Sequence, residues 1–319
     1  MSDDVKSLQE LSRQRATKAR ERHILLAAEI YRAPRGLLSD VERSLIAGMI
    51  ASLSARISAT IDDAAISDEI LVQTLRRAGV LEEPELIAAA YHRMLEFEIE
   101  REGASDEMVT SLGAGQELEV THAVGEYLVW RARRRDAYAN PVLDVADLSD
   151  VAAERLHWAV AAALRAEDPS REEALEAATL RALAAHCDAP EPPPVHAARL
   201  LLESGAVNAE LLGPLIEVGE VALFEGLFAQ LSAMPVLLVR QALFEPGGET
   251  LAIAAKAAEL DRETLIAMLA AGRRVRPRDS ECPAALALFD RLDIAIARRT
   301  VRAIARHPEF QEAVRRLEA

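Results

Sequence analysis

In LLGPLIEVGEVALFEGLFAQL, residues 211–231, apolar residues at Leu212, Leu215 and Ile216 recur at helical spacing and stop at Gly219. They resume at Val221, Phe224, Leu227 and Leu231. Apolar positions three and four apart place one stripe on one face of a helix, and a glycine between two such runs is a turn. The stretch therefore predicts two short helices, Leu211 to Ile216 and Val221 to Leu231, folded back on each other. The same punctuation continues toward the C-terminus. Pro235 opens Val236 to Phe244, Gly247 and Gly248 break the run, and Thr250 to Leu260 is its partner. Glu263 to Ala271 ends at Gly272, and Ala284 to Ile304 follows. Each unit is roughly 25 to 35 residues, the scale of helical repeats that bury their faces by stacking. Nowhere does apolar–polar alternation last long enough for a strand. The fold class expected is all-α.

Toward the N-terminus the helices lengthen. One runs from about Leu8 to Tyr31 and stops at Pro34-Arg35-Gly36. Ser39 and Glu42 then have the spacing of a capping box, in which the hydroxyl and the carboxylate each take a backbone N–H left over at a helix start. The second helix carries Val41, Leu45, Met49, Leu53 and Ile57. A further helix from Ile70 ends at Gly79, and Pro84 suits the first turn of the next. Glu117 to Tyr138 reads as a longer helix stopped at Asn140-Pro141. Another follows Asp147 with Leu156, Ala159, Val160 and Ala163 on one face, and Ser170 and Glu173 form a second capping box that opens the helix to His186. Pro190, Pro192, Pro193 and Pro194 interrupt this pattern and favour a stiff extended spacer. The expected organisation is a bundle of helical hairpins over residues 1–187, a Pro-rich linker at 188–195, and a HEAT-like stack of short helix pairs over 196–319.

The chain has 319 residues, half of them hydrophobic but only 4% aromatic, so Ala, Leu, Val and Ile fill the core. A formal net charge of −15 repels phosphate backbones and argues against general nucleic-acid binding. Arginines nevertheless cluster three times: Arg13 to Arg22 with Lys18, then Arg131, Arg133, Arg134 and Arg135, then Arg273, Arg274, Arg276 and Arg278. Cations at helix ends account for such runs, and docking surfaces for an acidic partner are the alternative. Cys187 and Cys282 are too few for a disulfide framework or a zinc site. The start, Met1-Ser2-Asp3-Asp4, has no apolar leader, and no apolar run approaches membrane-spanning length, which predicts a cytoplasmic protein with no membrane span.

Reactive chemistry has few footholds. The chain has no phosphate-cradling glycine loop, no His-Glu-x-x-His and no nucleophile elbow. Glu119–His122 and Glu154–His157 are two Glu-x-x-His strings, the pair that bundle di-metal proteins combine with one Glu from each of two other helices. Glu29 and Glu96 would supply those. Glu154 and His157 fall off the apolar face of their helix, however, and surface contacts account for both strings. His23 and His92 lie on helices, where a ring that titrates near neutral pH can carry a phosphoryl group. Each is followed by Ile24 or Arg93, not by the acidic residue of kinase helices. Asp62-Asp63, next to Asp68 and Glu69, reads as acids at a helix start. Trp130 and Trp158 suit core packing or an interface anchor equally.

Two stretches carry a family resemblance. Arg133-Arg134-Arg135-Asp136-Ala137-Tyr138-Ala139-Asn140-Pro141-Val142-Leu143 leads to Ala146-Asp147-Leu148, followed by Leu156-His157-Trp158-Ala159-Val160-Ala161-Ala162-Ala163-Leu164-Arg165. The second runs from Leu211 to Phe224, then through Leu231-Ser232 to Leu265-Ile266-Ala267-Met268-Leu269. Both resemble the alphaproteobacterial domain-of-unknown-function 2336 family, over most of the chain beyond about residue 20. The resemblance implies an all-helical bacterial cytoplasmic protein and brings no reaction, cofactor or catalytic residue. The reading that follows is a non-enzymatic protein–protein interaction scaffold or adaptor in bacterial signalling, with no cofactor. It has an unidentified protein partner and self-associates through residues 8–57, because a lone two-helix unit leaves an apolar face open. A histidine phosphotransfer-like protein (His23, His92) and a helical metalloprotein (Glu119, His122, Glu154, His157) are the alternatives.

Overall fold

A computed structural model describes residues 3–62, 66–103, 106–275 and 282–306, together with 310, 313, 314, 316 and 317. Asp63, Arg276 and Arg278 lie outside the described residues. Within them the chain is all-α. In order the helices are α1 (Asp3–Tyr31), α2 (Asp40–Ile61), α3 (Asp68–Arg77), α4 (Pro84–Gly103), α5 (Asp106–Gly113), α6 (Leu118–Ala132), α7 (Asp150–Glu167) and α8 (Glu172–Cys187). Then come α9 (Pro193–Glu203), α10 (Leu212–Glu217), α11 (Val221–Ser232), α12 (Val236–Phe244), α13 (Glu249–Ala257), α14 (Arg262–Val275), α15 (Cys282–Arg291) and α16 (Ile294–Ile304).

Local signals place most helix starts. Ser39 accepts from the Glu42 N–H at 3.2 Å and Glu42 accepts from the Ser39 N–H at 2.6 Å, closing the expected capping box. Gly79 and Gly219 both take the left-handed conformation, with φ of 76° and 80°, where only glycine is unstrained. Four expectations need correction. The helix from residue 118 ends at Ala132, short of Tyr138, because the chain turns back and the Arg134 carbonyl accepts from the Val142 N–H at 2.9 Å. The start of α8 is organised by Asp168, whose carboxylate accepts the Ser170 N–H and hydroxyl, so Ser170 does not cap. Gly272 sits buried inside α14 and does not end it. Residues 284–304 form two helices, because the Asp293 carboxylate caps a new start at Ala295 and Ile296.

The chain divides into two units that are not contiguous in sequence. One comprises Met1–Ala19, Glu98–Leu128 and Pro193–Ala319, the other Arg20–Phe97 and Val129–Pro192. The break at residues 192 and 193 falls within the Pro-rich stretch, but Pro193 and Pro194 are the first residues of α9, where a missing N–H is harmless. Residues 1–19 and 98–128 group with the C-terminal helices and not with the N-terminal bundle expected to hold them.

In the second unit, α2 packs against α3, α7 and α8. Ile46, Ile50, Leu53 and Ile57 are buried there, each worth roughly 1.5–3 kcal/mol when fully removed from water. By length and composition α2 is the one single helix among the described residues that qualifies to cross a membrane, and 44% of its apolar window is buried inside the fold. Ile24 and Leu25 of α1 and Val41 of α2 stay exposed.

In the first unit, α9 packs on α11, α12 on α14 and α13 on α15, the second-neighbour contacts of stacked pairs. Contacts of α10 with α14 and of α13 with α16 depart from a stack in which each pair touches only the next. Gly226 permits the close approach of α11 to α9, since a Cβ there would lie 2.6 Å from the Pro194 carbonyl oxygen.

Candidate functional site

Helix α4 contains an unusual run. Tyr91-His92-Arg93-Met94-Leu95-Glu96-Phe97 is buried at every position although three of the seven can carry charge. A helix buried all round is normally apolar all round. Each polar side chain in it therefore needs a partner. Arg93, 1% exposed, donates to Glu96 at 3.1 Å and to the Arg134 carbonyl at 3.2 Å. Arg134 stands 3.8 Å from Glu96 and makes a two-pronged pair with Asp147, at 2.5 and 3.0 Å. Asp147 also accepts the Asp144 N–H at 2.8 Å, closing a capping box around residues 144–147. Within the 131–135 arginine cluster, Arg134 is held by these carboxylates and lies over the Trp130 face at 5.1 Å, and Arg135 lies over the Phe97 ring at 5.4 Å.

Above this network the chain forms a tight loop. Arg135 and Pro141 face each other in an isolated antiparallel bridge. Asp136 organises the tip, its carboxylate accepting the N–H groups of Tyr138 and Asn140, both at 2.8 Å, and the Asn140 side-chain amide at 3.2 Å. Hydrogen bonds from the Asn140 backbone and side chain hold this carboxyl below its ordinary range against the opposing effect of desolvation. Ala139 takes φ 62°, a left-handed conformation that alanine enters only when its surroundings impose it. The result is a fixed loop that holds Tyr138 86% exposed. At its far end Leu143 is fully buried, and its carbonyl accepts from Arg56 of α2.

The sequence candidates scatter around this site. His23 and His92 are brought together, ring centroids 5.5 Å apart, with Tyr91 at 6.3 Å from each. Arg22 lies over the Tyr91 ring at 5.6 Å and donates to its hydroxyl at 3.2 Å. His23 is 8% and His92 6% exposed, so neither presents an open face to a phosphoryl donor. Burial, and secondarily the Arg22 charge, pushes His23 down to about 4, which keeps it neutral at pH 7.

The Glu-x-x-His strings do not assemble a metal centre. Glu119 and His122 are exposed on α6, and His122 Nδ1 lies 3.6 Å from Glu126. Glu154 is exposed, but His157 is buried, contrary to the off-face expectation, with Nδ1 2.7 Å from the Ala153 carbonyl. Glu29 is buried against the backbone N–H groups of Arg35 and Gly36 and the guanidinium of Arg43. Among the described residues no three His, Cys, Asp or Glu side chains gather around one point that could take an ion. Asp62 does not open a helix as expected; it caps the C-terminal end of α2 and pairs with Arg171 at 2.5 and 2.6 Å. Sequence reasoning missed the roles of Arg93, Asp136 and Tyr138. The available signal was the polar content of residues 91–97, beside an Asp and an Asn placed to fold a short loop.

No curated protein and no solved structure matches the chain. A bacterial family described as "uncharacterised protein conserved in bacteria" matches residues 98–302, a span that contains the loop, both quoted stretches and most of the C-terminal helices. That description is broader than the alphaproteobacterial group expected, and the match begins well after residue 20. Because it covers more than half of the 319 residues, the chain belongs to the domain-of-unknown-function 2336 family (DUF2336).

Proposed function

We propose that the protein is a non-enzymatic interaction scaffold that engages a protein partner through the loop at residues 133–142. The observation that carries this reading is Tyr138, 86% exposed at the tip of a loop whose base is anchored by a buried ion pair. Tyr and Arg are the residue types that concentrate binding energy, and the exposed Arg133 lies close by in the chain. A loop already held in one conformation loses little entropy on docking. Removing Arg134 and Asp147 from water is costly, and the pair earns no obvious stability over an apolar contact. Its use in this reading is positional, to fix the register of the loop that follows. The partner surface would offer an apolar pocket for the phenol with acidic groups at its rim.

Site-specific photocrosslinking tests this. A photoreactive phenylalanine analogue at position 138 of the full chain, in bacterial cells that make the native protein, is expected to yield one dominant protein adduct. Purified wild-type protein should compete it away, whereas the same analogue at Leu180, exposed on α8, should not form it. No adduct at 138, or the same adducts from both positions, would overturn the reading.

A further inference from the structure

The first unit contains a cavity of about 170 Å³ that neither the scaffold reading nor the family assigns. It lies between two helical stripes of the same spacing. From α1 come Gln9, Ser12, Arg13 and Ala16, and from α12 and its end come Leu238, Gln241, Ala242 and Glu245. Positions i, i+3, i+4 and i+7 form one face of a helix, and on a core-facing helix that face is normally apolar. Here both are mixed, and the short side chains of Ser12, Ala16 and Ala242 leave the space between them unfilled. Water at about 30 Å³ per molecule would fill the space with roughly six molecules, and an apolar cavity of similar size accepts a benzene-sized guest.

The lining has an apolar part, Met234, Leu238, Ala242 and Ile304, and a polar part. In the polar part the Thr250 hydroxyl lies 3.3 Å from the Ser12 hydroxyl and 3.2 Å from Glu245 Oε1, an uninterrupted hydrogen-bonding chain. Ser12 and Thr250 are buried, while Ala16 and Gln241 are exposed at the mouth. Desolvation pushes Glu245 up to about 8, with the Glu249 charge adding to the rise and Thr250 and Arg15 opposing it. At pH 7 the polar wall thus ends in a neutral carboxyl able to donate. The charges around Glu245 are matched or lie outside the cavity. Arg15 of α1 pairs with Glu249 of α13, and Arg13 lies 3.8 Å from Glu10. Arg273 of α14 and Cys282 of α15 line a separate hollow of about 20 Å³ that Glu245 also borders.

We infer that this cavity binds a small uncharged amphiphile, with its hydrocarbon body against Met234, Leu238 and Ala242 and a hydroxyl or amide head on the Ser12–Thr250–Glu245 chain. An anion would be opposed by the Glu249 charge beside Glu245, and a cation by Arg13 in the lining.

The test uses the full chain with ¹³C-methyl methionine, the Met234 signal being assigned by its loss in Met234→Leu. Butyramide, butyrate and butylammonium serve as size-matched probes. Butyramide should shift the Met234 methyl saturably at pH 7, and the two ions should not at equal concentration. Affinity should fall about tenfold between pH 7 and pH 9 as Glu245 loses its proton. Glu245→Gln should keep binding and lose that pH dependence, which a purely structural role would not do. Ala242→Leu should abolish the shift while the helical circular dichroism is kept. Absence of a saturable shift with butyramide, preference for either ion, or binding untouched by Ala242→Leu would each overturn the inference.

Discussion

The surroundings of Asp147 and of Glu245 handle the same difficulty, a carboxyl withdrawn from water, in opposite ways. Asp147 receives both prongs of the Arg134 guanidinium and a backbone N–H as well, so its charge is matched where it sits. Glu245 is driven toward its neutral form chiefly by desolvation, with the Glu249 charge adding and the Thr250 hydroxyl and Arg15 only partly opposing it. The difference shows that the state of a buried acid follows from how far close partners offset the loss of water. His23 is the mirror image of Glu245, a base kept neutral by burial.

Removing a partner should separate the first case most sharply. Arg134→Met takes the guanidinium from Asp147 in a dry site, leaves Glu96 with Arg93, and should destabilise the protein by about 3–5 kcal/mol. The midpoint of urea unfolding measures this, and adding Asp147→Leu should restore much of the loss. A near-neutral Arg134→Met would mean that the network is hydrated and that the contrast with Glu245 is false.

A smaller effect distinguishes Glu245 by its pH slope. Its folded value, about 8, lies above the ordinary carboxylate value of 4.5. Between these two pH values the folded chain holds a proton that the unfolded chain has lost. Stability therefore falls as pH rises through this window, by at most about 1.4 kcal/mol per unit, less where solvent screens the group. Below and above the window Glu245 adds no slope. Denaturant midpoints of wild type and Glu245→Gln at pH 5 and 8 check this, and the variant should show the smaller decline.

His23 should contribute the smallest effect and one of opposite sign. Its folded value of about 4 lies below the ordinary 6.5, so in that interval only the unfolded chain is protonated and stability falls as pH falls. His23→Gln should flatten the acid side between pH 6.5 and 4 and leave the alkaline side unchanged. Equal acid slopes in variant and wild type would place a charged, hydrated ring where the structure has a buried neutral one.

What the chain reveals without its tertiary structure varies with the range of the interaction. Ser39 and Glu42 are three residues apart, and their mutual cap could be read directly because the partners are neighbours whatever else happens. Gly79 and Gly219 were readable for the same reason, as a left-handed turn is a property of one residue. The overrun of α6 to Tyr138 arose because Asp136 folds the chain through bonds to residues 138 and 140 that compete with helix continuation, a contest that propensity does not decide. The two Glu-x-x-His strings look alike on paper, yet His122 lies in water and His157 in the core, because each depends on what packs against its helix. The cavity behind Ser12 was invisible, since more than half its lining is over two hundred residues away.

The amino-acid order by itself determined an all-helical chain, its turns and most of its helix starts, because caps, glycines and prolines act within about one helical turn. Tertiary structure alone decided that residues 1–19 join the C-terminal helices, that Arg134 meets Asp147 and Glu96, and that burial pushes Glu245 up and His23 down. Those outcomes depend on which distant surfaces exclude water from one another, and no local spacing encodes that.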